Sequence, residues 1–312
     1  MTKANAPTGM QILRPDPGSL EVAHAIKNRM GKRTFAPVRA TFVGSHASSE
    51  DRGPEGGVPP MAKILRGGRG GEVRLKLELS FLWFAANPPH DLTFPARVWA
   101  TLIGLADPEG RGTRRVRQAN TALAAENLIK VEGQAGRPNK IFLLEESGTY
   151  KPYVLPGEAY NKSKGSGQEW RHRYIQIPDT LWTNGWISIL SGAALAMLLV
   201  LFAELGQKDA SKTDLWFSPD WAKKIYGLSE DTRSKGLREL RTAEIITARK
   251  RSASRDVLDF RRLRNTYRLD LERFNDPAEL RLGEAPPAPL HPNEVSLEGF
   301  HTLLQSTSKK VD

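Results

Sequence analysis

The chain has 312 residues, enough for about two domains, and a hydrophobic content of 39%, enough to build real cores. Its 46 Lys and Arg against 35 Asp and Glu leave a formal charge of +11, which points to nucleic acid or another anionic surface as partner. The absence of cysteine excludes disulfides and thiolate-bound zinc, and the one long apolar run, Ala193 to Phe202, is about half of what a bilayer crossing needs, so no membrane partner is expected.

Residues 1–72 read as a disordered tail rich in Pro, Gly and Ser, with turn-forming clusters at Asp51-Arg52-Gly53-Pro54 and Gly56-Gly57-Val58-Pro59-Pro60. A short helix around Leu20 to Arg29 is its one suggested element. The basic glycine tract Leu65-Arg66-Gly67-Gly68-Arg69-Gly70-Gly71 ends it and reads as a linker, with a flexible arm on phosphates as the alternative. No basic patch precedes an apolar core at the N-terminus, so the expected location is the cytoplasm, on the nucleoid.

Residues 73–149 form the first expected domain. From Val73 to Asn87 the first half alternates with period two, as a strand would, while Leu75, Leu79, Leu82 and Ala86 also recur at helical spacing; the absence of turn residues favours a helix, which Pro88 and Pro89 stop. A second helix, Pro95 to Gly104, buries Val98, Trp99 and Leu102. A third follows the turn Asp107-Pro108-Glu109-Gly110-Arg111-Gly112. Its Val116, Ala119 and Leu123 form an inner stripe, and Arg114, Arg117, Gln118 and Thr121 form an outer one. Asn120 falls among the inner positions, where periodicity gives no reason for an amide. Strands at Ile129 to Val131 and Ile141 to Leu144 flank a turn carrying Arg137. Helix, turn, helix and hairpin is the layout of a winged helix.

Residues 150–172, rich in Gly, Lys and Ser, read as a linker. The second expected domain spans 173–275, opening with a strand at Tyr174 to Ile177. Gly192 to Leu205 reads as a buried core helix with Trp182 and Trp186 closing its end. Two helices meet at Tyr226-Gly227-Leu228, where Gly227 suits a left-handed helix end and Ser229 offers an N-cap hydroxyl. Down the second, Gly236, Leu237 and Leu240 point inward, and Ser234, Lys235 and Arg238 outward. Ile245 to Leu269 then reads as two strands around a basic turn. That stretch carries Arg249, Lys250, Arg251, Arg255, Arg261, Arg262, Arg264 and Arg268 against only Asp256 and Asp259. A merely solvated hairpin would mix its charges; a field of one sign favours a polyanion. Residues 276–312 read as a mostly disordered tail, with a short helix at Val295 to Leu304.

The stretches DPEGRGTRRVR (Asp107 to Arg117), LWTNGWISILSGAALAMLLVL (Leu181 to Leu201), LWFSP (Leu215 to Pro219), YGLSEDTRSKGLREL (Tyr226 to Leu240) and RNTYRL (Arg264 to Leu269) carry a family likeness. Through them the chain, over about residues 73 to 271, resembles actinobacterial tandem winged-helix (helix-turn-helix) proteins of uncharacterised function. That resemblance implies a fold and no agreed biochemical role. In architecture alone, two winged helices on one chain also look like plasmid replication initiators of the tandem winged-helix type.

The expectation is therefore an α+β, mainly helical protein with two tandem winged-helix domains and disordered tails. Its expected function is binding of double-stranded DNA as a transcriptional regulator. The alternative is a replication initiator or partition protein of a plasmid or integrated element. Base edges fall to Arg114, Arg117, Gln118, Lys235 and Arg238, because Arg and Lys suit guanine and Gln suits adenine. Ser234 and Thr121 reach bases or phosphates, and Arg137, Arg249, Lys250, Arg251 and Arg255 meet phosphate or minor groove. A homodimer is a further partner expected. The histidines (His24, His46, His90, His172, His291, His301) are scattered, and no lysine-bearing phosphate loop precedes a helix. No cofactor, metal or catalytic group is expected, and the chain is read as a non-enzyme.

Overall fold

The computed structural model describes residues 11–45, 57–67, 69–85, 88–133, 136–252, 263–283 and 285–290. In chain order the elements are β1 (Gln11–Leu13), α1 (Pro17–Lys27), β2 (Phe35–Arg39), α2 (Ala40–Val43), α3 (Pro60–Leu65) and α4 (Arg69–Phe84). Next come β3 (Asp91–Leu92), α5 (Ala96–Leu102), α6 (Thr113–Ala125), β4 (Ile129–Glu132), β5 (Lys140–Leu143), α7 (Pro156–Lys162), β6 (Tyr174–Pro178), α8 (Thr180–Thr183) and α9 (Trp186–Ile189). The last are α10 (Gly192–Leu205), α11 (Pro219–Tyr226), α12 (Glu230–Thr242), β7 (Ile246–Ser252), β8 (Leu263–Leu269) and β9 (Leu280–Leu282). The fold is α+β and mainly helical. Its described sheets are small and antiparallel.

Two helices form the centre. α10 is apolar on every side and almost wholly buried, which suits a core helix rather than an amphipathic one. It is too short to cross a membrane, and no described helix is long and apolar enough to do so. α4 is buried without a break from Leu75 to Trp83, far beyond the stripe that its leucine spacing suggests. The two helices approach closely at their starts: a Cβ on Gly192 would lie 2.9 Å from the Glu72 Cα. Trp182 sits fully buried against the other end of α4, stacked on Trp83 at 4.8 Å and donating its indole N–H to Ser80 Oγ at 3.0 Å.

Each central helix begins the same series: helix, extended segment, two helices, hairpin. In the first, α4 leads to β3, α5, α6 and the β4–β5 hairpin, with sheet order β3-β5-β4. In the second, α10 leads to Leu215, α11, α12 and β7–β8, and Leu215 bridges Tyr267 of β8 as β3 pairs with β5. The repeat extends to sequence. Asp91 to Leu105 (DLTFPARVWATLIGL) aligns without a gap on Asp214 to Leu228 (DLWFSPDWAKKIYGL). Gly104 and Gly227 both hold the positive φ that ends the helix, and Asn127 and Glu244 match as positive-φ residues before each hairpin.

Three expectations about the ends and the middle are overturned. Gln11–Ser45 is folded: β1 pairs with β9, β2 pairs with β6, and Ala23, Ile26, Val38 and Phe42 join the common core. Burial of that apolar surface outweighs the local Pro and Gly content, which sets turns rather than disorder. The glycine tract at Gly70-Gly71 is no linker. It opens α4, and a Cβ on Gly71 would meet the Leu65 carbonyl at 2.2 Å, so only glycine lets α3 and α4 abut there. Residues 150–172 also pack as a strap, with Pro152 bridged to Leu144, Tyr153 buried, and α7 beside β2.

The C-terminal side departs from a free tail too. β9 lies on β1, and Leu290 lies along β7, donating its N–H to Ala248 O at 2.9 Å and accepting from the Lys250 N–H at 2.8 Å. The helix expected at Val295 to Leu304 lies outside the described residues. Both repeats share one continuous core with the N-terminal segment, so the expected boundary between two separate domains does not appear in the packing.

Candidate nucleic-acid interface

The first repeat presents its outer stripe as the periodicity predicts. Val116, Ala119, Asn120 and Leu123 are buried, and Arg114, Arg117, Gln118 and Thr121 are exposed. Thr121 Oγ1 donates to Arg117 O at 3.2 Å, so its hydrogen is spent within the helix and only its acceptor side is free. The helical turn that leads into α6, Pro108–Gly112, is capped by Asp107, whose backbone has φ 53° and whose carboxylate accepts from Arg111 N at 2.9 Å and Gly110 N at 3.2 Å. The Arg111 amide holds that carboxyl below the usual aspartate value.

Arg137, on the turn after β4, comes to the same groove as Arg117. Arg97 at the start of α5 joins them, and the floor is Phe94, Trp99, Pro138 and Ile141; the groove encloses about 560 Å³. Two arginines around the head of α6 have acids beside them. Arg111 pairs with Asp107 at 3.5 Å, and Arg97 reaches Glu109 at 3.7 Å. Arg114, Arg117 and Arg137 pair with no acid among the described residues.

The second repeat is more enclosed. Ser234, Lys235 and Arg238 are exposed on α12. Lys235 pairs with Asp231 one turn earlier at 2.9 Å. Lys235 and Arg238 line a cleft of about 690 Å³ whose other walls are the start of α10, Glu72 of α4, and Leu280 to Gly283. Glu239 on that cleft accepts from the Ser191 N–H at 2.7 Å and hydroxyl at 2.5 Å, fixing α12 to the N-terminus of α10. The face expected to be open thus has the β1–β9 ribbon and two carboxylates beside it. Sequence periodicity could not show this, because β9 is remote in the chain.

The hairpin residues divide. Arg249 and Lys250 are half-buried, and the Arg249 Nε has no hydrogen-bond partner among the described residues. Arg251 turns to the well-buried Asp214, which Arg268 also grips at 2.8 Å. Arg264 lies over Trp216, 4.3 Å from the ring centroid, a cation–π contact on the exposed side of the sheet. So Arg251 and Arg268 serve the fold as well as the surface charge, against the expectation of a hairpin whose arginines all await a polyanion. The sequence separation of Asp214 hid its role. Arg255 lies outside the described residues.

Comparisons with family models, curated proteins and solved structures return no match.

Proposed function

We propose that both repeats are winged helices and that the protein binds duplex DNA, acting as a transcriptional regulator. The observation that carries this reading is the first repeat's surface. Arg114, Arg117 and Gln118 stand exposed on one helix, Arg137 meets Arg117 across a groove, and the chain as a whole carries +11. α6 is the helix that enters the major groove, with Arg117 and Gln118 at base edges and Arg114 and Arg137 on phosphates. In the second repeat Ser234, Lys235 and Arg238 take the corresponding places at the margin of the α12 cleft, with Arg249 and Lys250 on the backbone beside them.

Selection of bound genomic fragments, followed by titration of a selected duplex and a random one at two salt concentrations, tests the reading. Binding should weaken steeply as salt rises. Arg137→Ala should weaken both duplexes alike and lower the salt slope by about 1, and Arg117→Ala should cost about 1–3 kcal/mol on the selected duplex and relax its base preference. Salt-independent binding, or equal losses on both duplexes for Arg117→Ala, overturns the assignment. Fragments that map to promoters support regulation; fragments that map to replication origins replace it with an initiator or partition role.

A further inference from the structure

Asn120 is the inner-stripe residue for which periodicity gives no reason. It is 8% exposed, its Oδ1 has no hydrogen-bond partner among the described residues, and it lines the groove between α5, α6 and the β4–β5 hairpin. An orphaned buried acceptor costs stability, so a residue kept there without structural need invites a ligand. The internal repeat shows that the fold has no such need. When Leu123 is aligned on Leu240 and Asn127 on Glu244, Asn120 falls on Leu237, an apolar residue packed against the core.

The surroundings specify the ligand's chemistry. Trp99, also on the groove wall, is 1% exposed with its indole N–H unpaired, and Phe94 meets it edge-on at 5.7 Å. Pro138 and Ile141 complete an apolar floor, and Arg97, Arg117 and Arg137 stand on the walls with Glu109 as the acid among them. A volume of about 560 Å³ falls in the range of about 300–1,000 Å³ usual for small-ligand sites. An aromatic floor, a buried acceptor and a cationic rim fit a flat, amino-bearing ring with an attached anion.

We propose that this groove is a nucleotide site. The base lies on the half-exposed Phe94 ring, which packs against the buried Trp99, and donates its exocyclic amino group to Asn120 Oδ1, and the phosphate meets Arg117 and Arg137. The same chemistry comes from a free nucleotide or from an unpaired nucleotide of a bound strand; in the second case the proposal rests on the DNA-binding reading, in the first it does not.

The full-length protein is titrated with AMP and with adenosine, and separately with a fully paired duplex and one carrying a single unpaired adenine. Wild type should bind AMP more tightly than adenosine, or bind the unpaired-adenine duplex more tightly than the paired one. Asn120→Leu, which installs the residue of the other repeat, should weaken the responding ligand about tenfold, the worth of one buried hydrogen bond. Arg137→Ala, at an exposed position, should abolish the preference for AMP over adenosine and serves if Asn120→Leu melts early. The AMP response identifies a free nucleotide and the unpaired-adenine response a strand nucleotide. No binding of AMP with no preference for the unpaired adenine, or affinities unchanged in both variants, overturns the proposal. Paired duplex bound tightly beside that result leaves the DNA-binding reading standing; AMP bound without any duplex sinks that reading alone.

Discussion

Arg39, Glu146 and Glu78 are fully buried, and their chemistry is set by one another. Glu146 accepts from the Arg39 backbone N–H at 2.9 Å and from its guanidinium, and Arg39 donates onward to Val154 O at 2.5 Å. Burial nevertheless outweighs the arginine and holds the Glu146 carboxyl above the usual glutamate range. Glu78 has no partner for either oxygen among the described residues; burial, reinforced by the charge of Glu146, pushes it well above that range. A carboxyl raised on folding contributes its full stability below the unfolded value of 4.5, and loses it as pH rises towards the folded value. Glu78→Gln, neutral at every pH, should therefore melt higher than wild type at pH 7 and equally at pH 4. The gain is about 1.4 kcal/mol for each tenfold change in proton affinity that folding imposes. Paired thermal melts at the two pH values check it, and an identical gain at both would show that proton linkage is not the cause. Arg39→Met, which leaves Glu146 buried and alone, should cost about 3–5 kcal/mol in a denaturant titration.

At the scale of elements, the contact of α12 with α10 shows how a position can override propensity. Gly236 sits in mid-helix, where alanine would ordinarily add about 1 kcal/mol of helix stability. A Cβ there would lie 2.3 Å from the Ala193 carbonyl, and no flexible side chain can yield in its place. Gly236→Ala should therefore destabilise the protein, with a lowered melting temperature and faster amide exchange in α12; a rise in melting temperature would place α12 farther from α10. The β7–β8 hairpin is tied to its base in a different way, by Asp214 between Arg251 and Arg268. The first repeat has Asp91 at the matching position, paired with Lys140 at 2.7 Å. An aspartate that clamps a basic hairpin is thus common to both copies.

For the whole molecule, the N-terminal segment closes the structure. β1 grips β9 and β2 grips β6, so residues before Arg69 pair with strands that follow the first repeat. Truncation at Gly67 should leave β6 and β9 unpaired and bare the apolar surfaces that Phe42, Val38 and Ile26 cover. The truncated chain should aggregate or bind a hydrophobic dye, whereas the full chain should unfold in one cooperative transition. A soluble, cooperatively folded truncation would restore the N-terminal stretch to the status of a tail.

Much of this was legible locally. The hydrophobic period marked α4, α5, α6, α11 and α12; Gly227 and Ser229 marked the helix junction; the all-apolar run marked α10 as core. These signals survive because helix period and capping depend on neighbours a few residues away. The outer stripe of α6 was legible for the same reason. Contacts between remote segments were not: the folding of Gln11–Ser45, the β9 ribbon beside Lys235 and Arg238, the claim of Asp214 on Arg251, and the groove that joins Arg117 to Arg137. The sequence by itself determined which faces are apolar and which are basic. Only the tertiary structure decided which basic faces stay open, because burial and pairing are settled by whichever distant segment comes to lie against them.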